Sequence, residues 1–206
     1  MKIKSSIPLF AILVFIIPVS AWAFINWYEK KSKPLPVMGK TKEHRISDFH
    51  LLNQDGELKS TDDWKNKIVV ADFFFTHCPT ICPQMTKSLK KIQEVYKTDS
   101  AIQFNSFTVD PERDSSGQLK KYANQFKINT YNWNLLTGNK REIYKLARNS
   151  FMIVATDGDG GPDDFIHSEN LVLIDKQKRI RGYYAGTSDK EVNQLIRDIK
   201  KLQHEK

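Results

Sequence analysis

The sequence predicts an α/β domain with a central mixed sheet flanked by helices, an extra N-terminal β-hairpin and an apolar segment before it. Three observations lead to this fold class. No charged residue occurs from Ser5 to Tyr28, Lys67–Phe75 (KIVVADFFF) is a continuous apolar run typical of a buried strand, and strand-like and helix-like segments alternate after it. The length of 206 residues suits one domain and one additional segment.

Residues 1–28 are predicted to be a membrane anchor or a signal segment. The uncharged run from Ser5 to Tyr28 exceeds the roughly 20 residues that cross a bilayer as a helix. Aromatic residues, among them Trp22 and Trp27, stand at its end, where membrane proteins carry an interfacial belt. We therefore expect a single N-terminal transmembrane helix.

A cleaved signal peptide is the alternative for the same residues. Lys2 and Lys4 would form its charged start, Ile7–Ile17 its apolar region and Ala21–Ala23 its cleavage site. The uncleaved anchor is favoured because the apolar run continues past Ala23. Both alternatives place the domain in an oxidising compartment outside the cytoplasm. Because the N-terminus lacks an arginine-rich transit segment, the expected location is the bacterial inner membrane, with the domain on the periplasmic side.

Residues 29–45 are lysine-rich and contain Pro34 and Pro36, so they are predicted to be a tether, and the domain is expected to span residues 46–206. The net charge is +8, but no basic stripe is interleaved with aromatic residues. The composition therefore gives no indication of nucleic-acid binding, and the domain is expected to be a monomer.

The predicted elements of the domain begin with a hairpin that turns at Asp55-Gly56, followed by the buried strand Lys67–Phe75. Pro83 is expected to open a helix, because proline is favoured in a first helical turn. The later predictions are a strand at Ile102–Val109, a helix at Ser115–Phe126, a short strand at Trp133–Leu136, a helix at Arg141–Phe151, a loop at Thr156–Asp164, a strand pair at Asn170–Ile174 and Ile180–Tyr184, and a closing helix.

This order of elements is a thioredoxin-like pattern. The sequence HCPTICP, residues 77–83, directly follows the first core strand. Open α/β sheets carry their chemistry at the carboxyl ends of their strands. The segment is therefore the first candidate for a functional site.

Cys78 and Cys82 are the two cysteines of the chain. Backbone N–H groups at the start of a helix lower the pKa of a nearby thiol, which favours reactive or metal-binding thiolates. A structural disulfide would close only a very short loop and stabilise the fold little. A redox-active pair that forms a disulfide and a metal site both remain open. The CxxxC spacing leaves room for an ion, and soft thiolates suit copper(I).

A third metal ligand would have to come from elsewhere in the chain. Of the five histidines, His167 closes an acidic, glycine-rich loop and precedes the predicted strand at Asn170. In a thioredoxin-like fold that segment lies beside the cysteines, so His167 is the expected third ligand, and imidazole suits both oxidation states of copper. His77 is expected to pack in the loop or to support the metal ligands, and direct ligation by His77 is the alternative.

Three stretches together resemble the Sco family, also called SenC or PrrC: FFFTHCPTICPQM, FTVDPERD (Phe107–Asp114) and FIHSENLVLID (Phe165–Asp175). The resemblance implies a membrane-anchored, thioredoxin-fold copper protein. It implies that Cys78, Cys82 and His167 bind copper and that the acidic Asp110 lies near the site. It also implies delivery of copper to the dinuclear site of cytochrome c oxidase subunit II, and reduction of cysteines in that subunit.

The predicted function is a copper chaperone that binds copper(I), and also copper(II), through Cys78, Cys82 and His167. The loop Asp157–Asp164 is expected to let His167 move when copper arrives or leaves. One alternative is a thiol–disulfide oxidoreductase that acts on cysteines of an exported partner. Another is a copper or redox sensor. Whether the protein is an enzyme depends on the first of these alternatives.

Overall fold

The computed structural model describes residues 12–41, 43–153 and 168–205. The chain divides into two compact units, Met1–Pro34 and Leu35–Lys206. In the first unit, a π-helical turn at Ile12–Ile16 leads into helix α1, Ile17–Ser32. Among the described residues, no helix combines the length and the apolar character needed to cross a membrane. Residues 1–11 of the predicted anchor lie outside the described residues.

The second unit begins at Leu35, so it includes residues that the sequence analysis assigns to a tether. The backbone N–H of Met38 donates to the carbonyl of Ile180 at 2.8 Å, which makes a short antiparallel bridge. The guanidinium of Arg181 donates to the carbonyl oxygens of Pro36 at 3.0 Å and Leu35 at 2.5 Å. Backbone pairing and a buried arginine therefore fix these residues to the domain.

The second unit is built on a mixed five-stranded sheet in the order β5-β4-β3-β6-β7. Strands β3, β4 and β5 are parallel, whereas β6 is antiparallel to both β3 and β7. Strands β1 and β2 form a separate antiparallel hairpin. The strands are β1 His50–Leu52, β2 Leu58–Ser60, β3 Ile68–Phe74, β4 Ile102–Thr108, β5 Trp133–Leu136, β6 Asn170–Ile174 and β7 Ile180–Ala185. This arrangement confirms the predicted α/β, thioredoxin-like fold with its extra hairpin.

The helices of the second unit cover both faces of the sheet. They are α2 Ile81–Val95, α3 Ser116–Phe126, α4 Lys140–Lys145 and α5 Asp189–His204, with a 3-10 turn at Thr61–Trp64. One core joins α2, α3 and α5 to residues such as Val70 of β3, and the other joins the hairpin and α4 to residues such as Val69. Successive side chains of a strand point to opposite faces, so β3 contributes to both cores.

Two helices differ from the sequence prediction. Helix α2 begins at Ile81 rather than at Pro83, so Pro83 lies in its first turn, where a missing N–H breaks no intrahelical hydrogen bond. Helix α4 continues only as a π-helical turn, Leu146–Ser150, and the N–H of Phe151 donates to the carbonyl of Leu146 at 2.8 Å. The predicted loop at Thr156–Asp164 lies outside the described residues.

Candidate metal centre

We call residues 75–82 the cysteine loop; they join the end of β3 to the first turn of α2. Both thiols are free, and Cys78 is half-buried while Cys82 is only 5% exposed. The backbone N–H of Cys82 donates to the sulfur of Cys78 at 3.4 Å. The fold therefore places the two thiols at one helix terminus, as the sequence predicts.

The pKa values of the two thiols are shifted in opposite directions. Partial burial opposes ionisation of Cys78, but hydrogen bonds from the backbone N–H groups of Cys82, Thr80 and Ile81 and from the Cys82 thiol outweigh it, so the pKa of Cys78 lies below its usual value. Burial raises the pKa of Cys82 to about 12. Cys78 is thus the nucleophilic thiol, and Cys82 stays protonated until a metal ion or a disulfide replaces its proton.

A cavity of about 280 Å³ opens against the two thiols. Its lining is largely apolar, and Ser168 and Glu169 form part of its wall. These two residues directly follow His167, which itself lies outside the described residues. Within the described parts of the chain, no group of three candidate metal-ligating side chains comes together. The structure thus brings Cys78 and Cys82 together, and it describes the chain from the residue after the third predicted ligand, His167.

Asp72 is a buried acid on the α2 side of β3, and the sequence analysis does not single it out. It is 2% exposed, accepts a 2.5 Å hydrogen bond from the Ser106 hydroxyl, and Ser106 in turn accepts one at 2.9 Å from the indole of Trp133. Burial raises the pKa of Asp72 to about 7, although the Ser106 bond opposes that rise. The charge on Asp72 also raises the pKa of Cys82. The signal was available, because Asp72 is the one acid in the run KIVVADFFF.

Asp114 is a second acid at the site that the sequence analysis does not single out, although it ends the motif VDPERD. Its side chain is 0% exposed, and its carboxylate accepts hydrogen bonds from the backbone N–H and the hydroxyl of Thr76, two residues before Cys78. A third bond comes from the hydroxyl of Thr108 at the end of β4. Asp114 therefore connects the cysteine loop to the neighbouring strand.

The two residues predicted to lie around the site, His77 and Asp110, are chain neighbours of the lining residues Cys78 and Val109 but do not themselves line the cavity. The His77 side chain is 55% exposed, with Nδ1 3.1 Å from the Thr76 hydroxyl and 3.8 Å from the carboxylate of Asp114. Since the Thr76 hydroxyl donates its proton to Asp114, the Thr76 oxygen is the acceptor in its contact with Nδ1 of His77. Asp110 is 16% exposed and lies 3.8 Å from the guanidinium of Arg113.

This chain is similar to proteins of one family. The SCO1/SenC family model matches residues 38–204. The SCO1 protein homolog of Bacillus subtilis (strain 168) is 33% identical over 159 residues, which cover 76% of this chain and 82% of that protein. Among solved structures, BsSco shares 31% identity and a TM-score of 0.69, over 84% of this chain and 100% of its own. ScoI of Arabidopsis thaliana shares 26% identity and a TM-score of 0.61, over 77% of this chain and 98% of its own.

Two of these similar proteins have described properties. BsSco is a member of the Sco family of cytochrome c oxidase assembly proteins in which a disulfide switch was identified. The Arabidopsis thaliana protein was solved with copper bound. The family model covers well over half of the present chain, including the cysteine loop and the seven strands of the described residues. The chain belongs to the SCO1/SenC family.

Proposed function

We propose that the protein is a copper chaperone of cytochrome c oxidase assembly, with Cys78 and Cys82 as copper ligands. The observation that carries this proposal is the cavity of about 280 Å³ that opens on both thiols. Its apolar lining and the half-buried position of Cys78 limit the access of water to a bound ion. Two soft sulfur donors at such a place suit copper(I) better than the harder divalent metals.

His167 is the proposed third ligand. The support is that its chain neighbours Ser168 and Glu169 form part of the cavity wall beside the cysteines. The N–H of Asn170 donates to the Ser168 hydroxyl at 3.2 Å, which fixes this wall at the start of β6. Two thiolates and one imidazole would satisfy copper(I), which accepts three ligands, and the imidazole would also serve copper(II).

Loading and release of copper follow from the different thiol acidities. Cys78, with its lowered pKa, is the ligand that meets incoming copper first. Cys82 binds only after losing a proton, because burial raises its pKa to about 12. Copper loading therefore releases protons and weakens as the pH falls. In transfer, thiolates of the acceptor replace those of the donor one at a time, and Cys78, the more exposed thiol, exchanges first.

The proposed acceptor is the dinuclear copper site of cytochrome c oxidase subunit II, or a similar exported copper site. We propose that the N-terminal segment holds the protein at the bacterial inner membrane, with the domain on the periplasmic side. The charge-free run supports this, and so do large apolar side chains of the first unit that are exposed, such as Phe15 (68%), Val19 (63%) and Trp22 (66%). Separation of membrane and soluble fractions with a domain-specific antibody tests it.

Copper(I) titration under anaerobic, reducing conditions tests the ligand set. The native protein should bind one tight equivalent, and His167→Ala should weaken copper(I) and remove most of the copper(II) affinity. The matched control is His50→Ala, because His50 lies in strand β1 and its ring contacts Asp48. Tight binding that is indifferent to His167 would reject the third ligand. Absence of tight binding in the native protein would reject the chaperone function.

A thiol–disulfide oxidoreductase is the second candidate function. The pairing of an activated Cys78 with a buried, protonated Cys82 favours it, since an attacking thiol and a resolving thiol have these properties. It predicts turnover of a disulfide substrate that needs both cysteines and is unchanged in His167→Ala. The copper titration and this assay separate the two functions, because only the first depends on His167.

A further inference from the structure

Asp114 is placed between two loops at the carboxyl end of the sheet, fully enclosed by protein. One carboxylate oxygen accepts from the Thr76 backbone N–H at 3.0 Å and from the Thr108 hydroxyl at 2.6 Å. The other accepts from the Thr76 hydroxyl at 2.5 Å. The donors are neutral, and burying a carboxylate is costly unless such bonds are made. The arrangement therefore fixes the main chain and the side chain of Thr76 at once.

The two thiols depend on different supports. Cys82 belongs to helix α2 and is held by it, whereas Cys78 belongs to the irregular part of the cysteine loop. Thr76, two residues earlier, is held from outside the loop by Asp114 and by the side-chain amide of Gln118, and its hydroxyl also contacts His77 within the loop. The residues before Cys78 are thus linked to the loop after β4 through Thr76 and Asp114.

We propose that Asp114 is a positioning residue, which holds the Cys78 sulfur close to Cys82 and to the N–H groups at the start of α2. It touches neither sulfur in the described contacts and acts through Thr76. Its effect on thiol reactivity stands independently, while its effect on copper rests on the proposed chaperone function. A structural acid without this role would stabilise the fold and leave the two sulfurs unaffected.

The test compares four variants with the native protein, all in the full chain. Asp114→Asn removes one acceptor oxygen, and Thr76→Val removes the hydroxyl that reaches Asp114. Thr76→Ser keeps that hydroxyl and is the conservative rescue. Asp175→Asn is the matched control, because Asp175 is also a buried acid and pairs with two arginines. It lies at the other end of the sheet, since it follows Ile174, which pairs with Val69 near the start of β3.

Three quantities are measured for each variant: the free energy of unfolding in urea, the dissociation constant for copper(I), and the pH profile of Cys78 alkylation by iodoacetamide. We expect Asp114→Asn and Thr76→Val to raise the copper(I) dissociation constant by about tenfold or more, the usual effect of losing a supporting contact to a ligand. We expect the alkylation profile to move to higher pH, because Cys78 loses its alignment with the N–H donors. Thr76→Ser should resemble the native protein in both readouts.

The outcomes separate this inference from the proposed function. If Asp114→Asn and Thr76→Val change only the free energy of unfolding, as Asp175→Asn is expected to do, Asp114 has no positioning role. If the alkylation profile moves while the native protein binds no copper, the positioning role stands and the chaperone function fails. Should Asp114→Asn not fold, the Thr76→Val and Thr76→Ser pair decides between the same two results.

Discussion

At the scale of single residues, Asp72 is the least expected side chain of the domain. It occupies the middle of a strand whose other residues are apolar, and its hydrogen-bonding partner is a neutral hydroxyl from Ser106. Burial penalises its charged form, so its pKa rises from 3.8 to about 7. A buried carboxyl group that changes charge near neutral pH makes the stability of the fold sensitive to pH.

The stability of the reduced, copper-free protein should fall with rising pH because of Asp72. Between about pH 4 and pH 7 the folded protein keeps a proton that the unfolded chain has lost, so the free energy of unfolding decreases across this window and is level above it. Asp72→Asn removes this dependence. In urea unfolding, the free energy of unfolding of Asp72→Asn minus that of the native protein should increase by about 2–3 kcal/mol from pH 5 to pH 8. Parallel pH curves for the two proteins would show that Asp72 is ionised in the folded state.

At the scale of elements, the first turn of α2 makes two neighbouring thiols chemically different. The helix begins at Ile81, so Cys82 lies within it and points into the core that contains Met85. Cys78 stays outside the helix and receives the N–H groups that the helix leaves unpaired. One helix terminus thus carries a thiol with a lowered pKa and a buried thiol with a raised pKa.

Alkylation by iodoacetamide at pH 7 should therefore modify Cys78 first. With Cys82 at a pKa of about 12 and Cys78 below its usual value, the thiolate fractions differ by about a thousandfold or more. The thiolate of the more acidic thiol is the weaker nucleophile, so the alkylation rates of Cys78 and Cys82 should differ by a smaller factor, about thirtyfold. Peptide mass spectrometry measures it, and Cys78→Ser, which should leave the protein almost unreactive, is the control. Equal labelling of both thiols would contradict the assigned acidities.

The elements themselves could largely be predicted from the sequence, because each has a local signal. Periodicity and turn residues placed β5 and β6 at their observed bounds and the other strands to within a residue or two at most ends. The predicted start of α2, Pro83, lies after the observed start, Ile81. A proline is tolerated throughout the first turn of a helix, so it does not mark the first residue.

The candidate site could be predicted only in part, for a physical reason. Cys78 and Cys82 carry a local motif, and the fold brings them together as expected. Asp72 and Asp114 act through burial and through contacts with residues 34 and 38 positions away, Ser106 and Thr76. Local sequence patterns do not report burial or distant contacts. An acid inside an apolar run and an acid at the end of a motif were the available signals.

At the scale of the whole molecule, the compact unit that carries the site begins at Leu35. Arg181 binds the first residues of this unit: it is 4% exposed and donates to the carbonyls of Leu35 and Pro36. It also pairs with Asp175 at 3.0 Å and with Glu205 at 2.6 Å. Asp175 follows Ile174, which pairs with Val69 near the start of β3, whereas the cysteine loop follows the end of that strand. Within this unit, the chain therefore enters at the end of the sheet opposite the thiols.

A fragment of residues 35–206 should consequently be more stable than one of residues 46–206. The shorter fragment loses the bonds from Arg181 to two carbonyl groups, the bond from the Leu35 N–H to Glu205, and the Met38–Ile180 bridge. At about 1 kcal/mol for each bond, urea unfolding should show a loss of about 2–4 kcal/mol.

A fragment of residues 29–206 serves as the control for this comparison, and it should match 35–206, because the residues up to Pro34 belong to the other unit. Cys78 alkylation should be the same in all three fragments, since the lost contacts lie at the far end of the sheet from the cysteine loop. Equal stability of 46–206 and 35–206 would mean that residues 35–45 lie on the domain without supporting it, and the tether would then end at residue 45, where the sequence analysis places its end. A loss of stability with unchanged thiol reactivity would instead establish that the contacts of residues 35–45 and the cysteine loop are energetically separate parts of one domain.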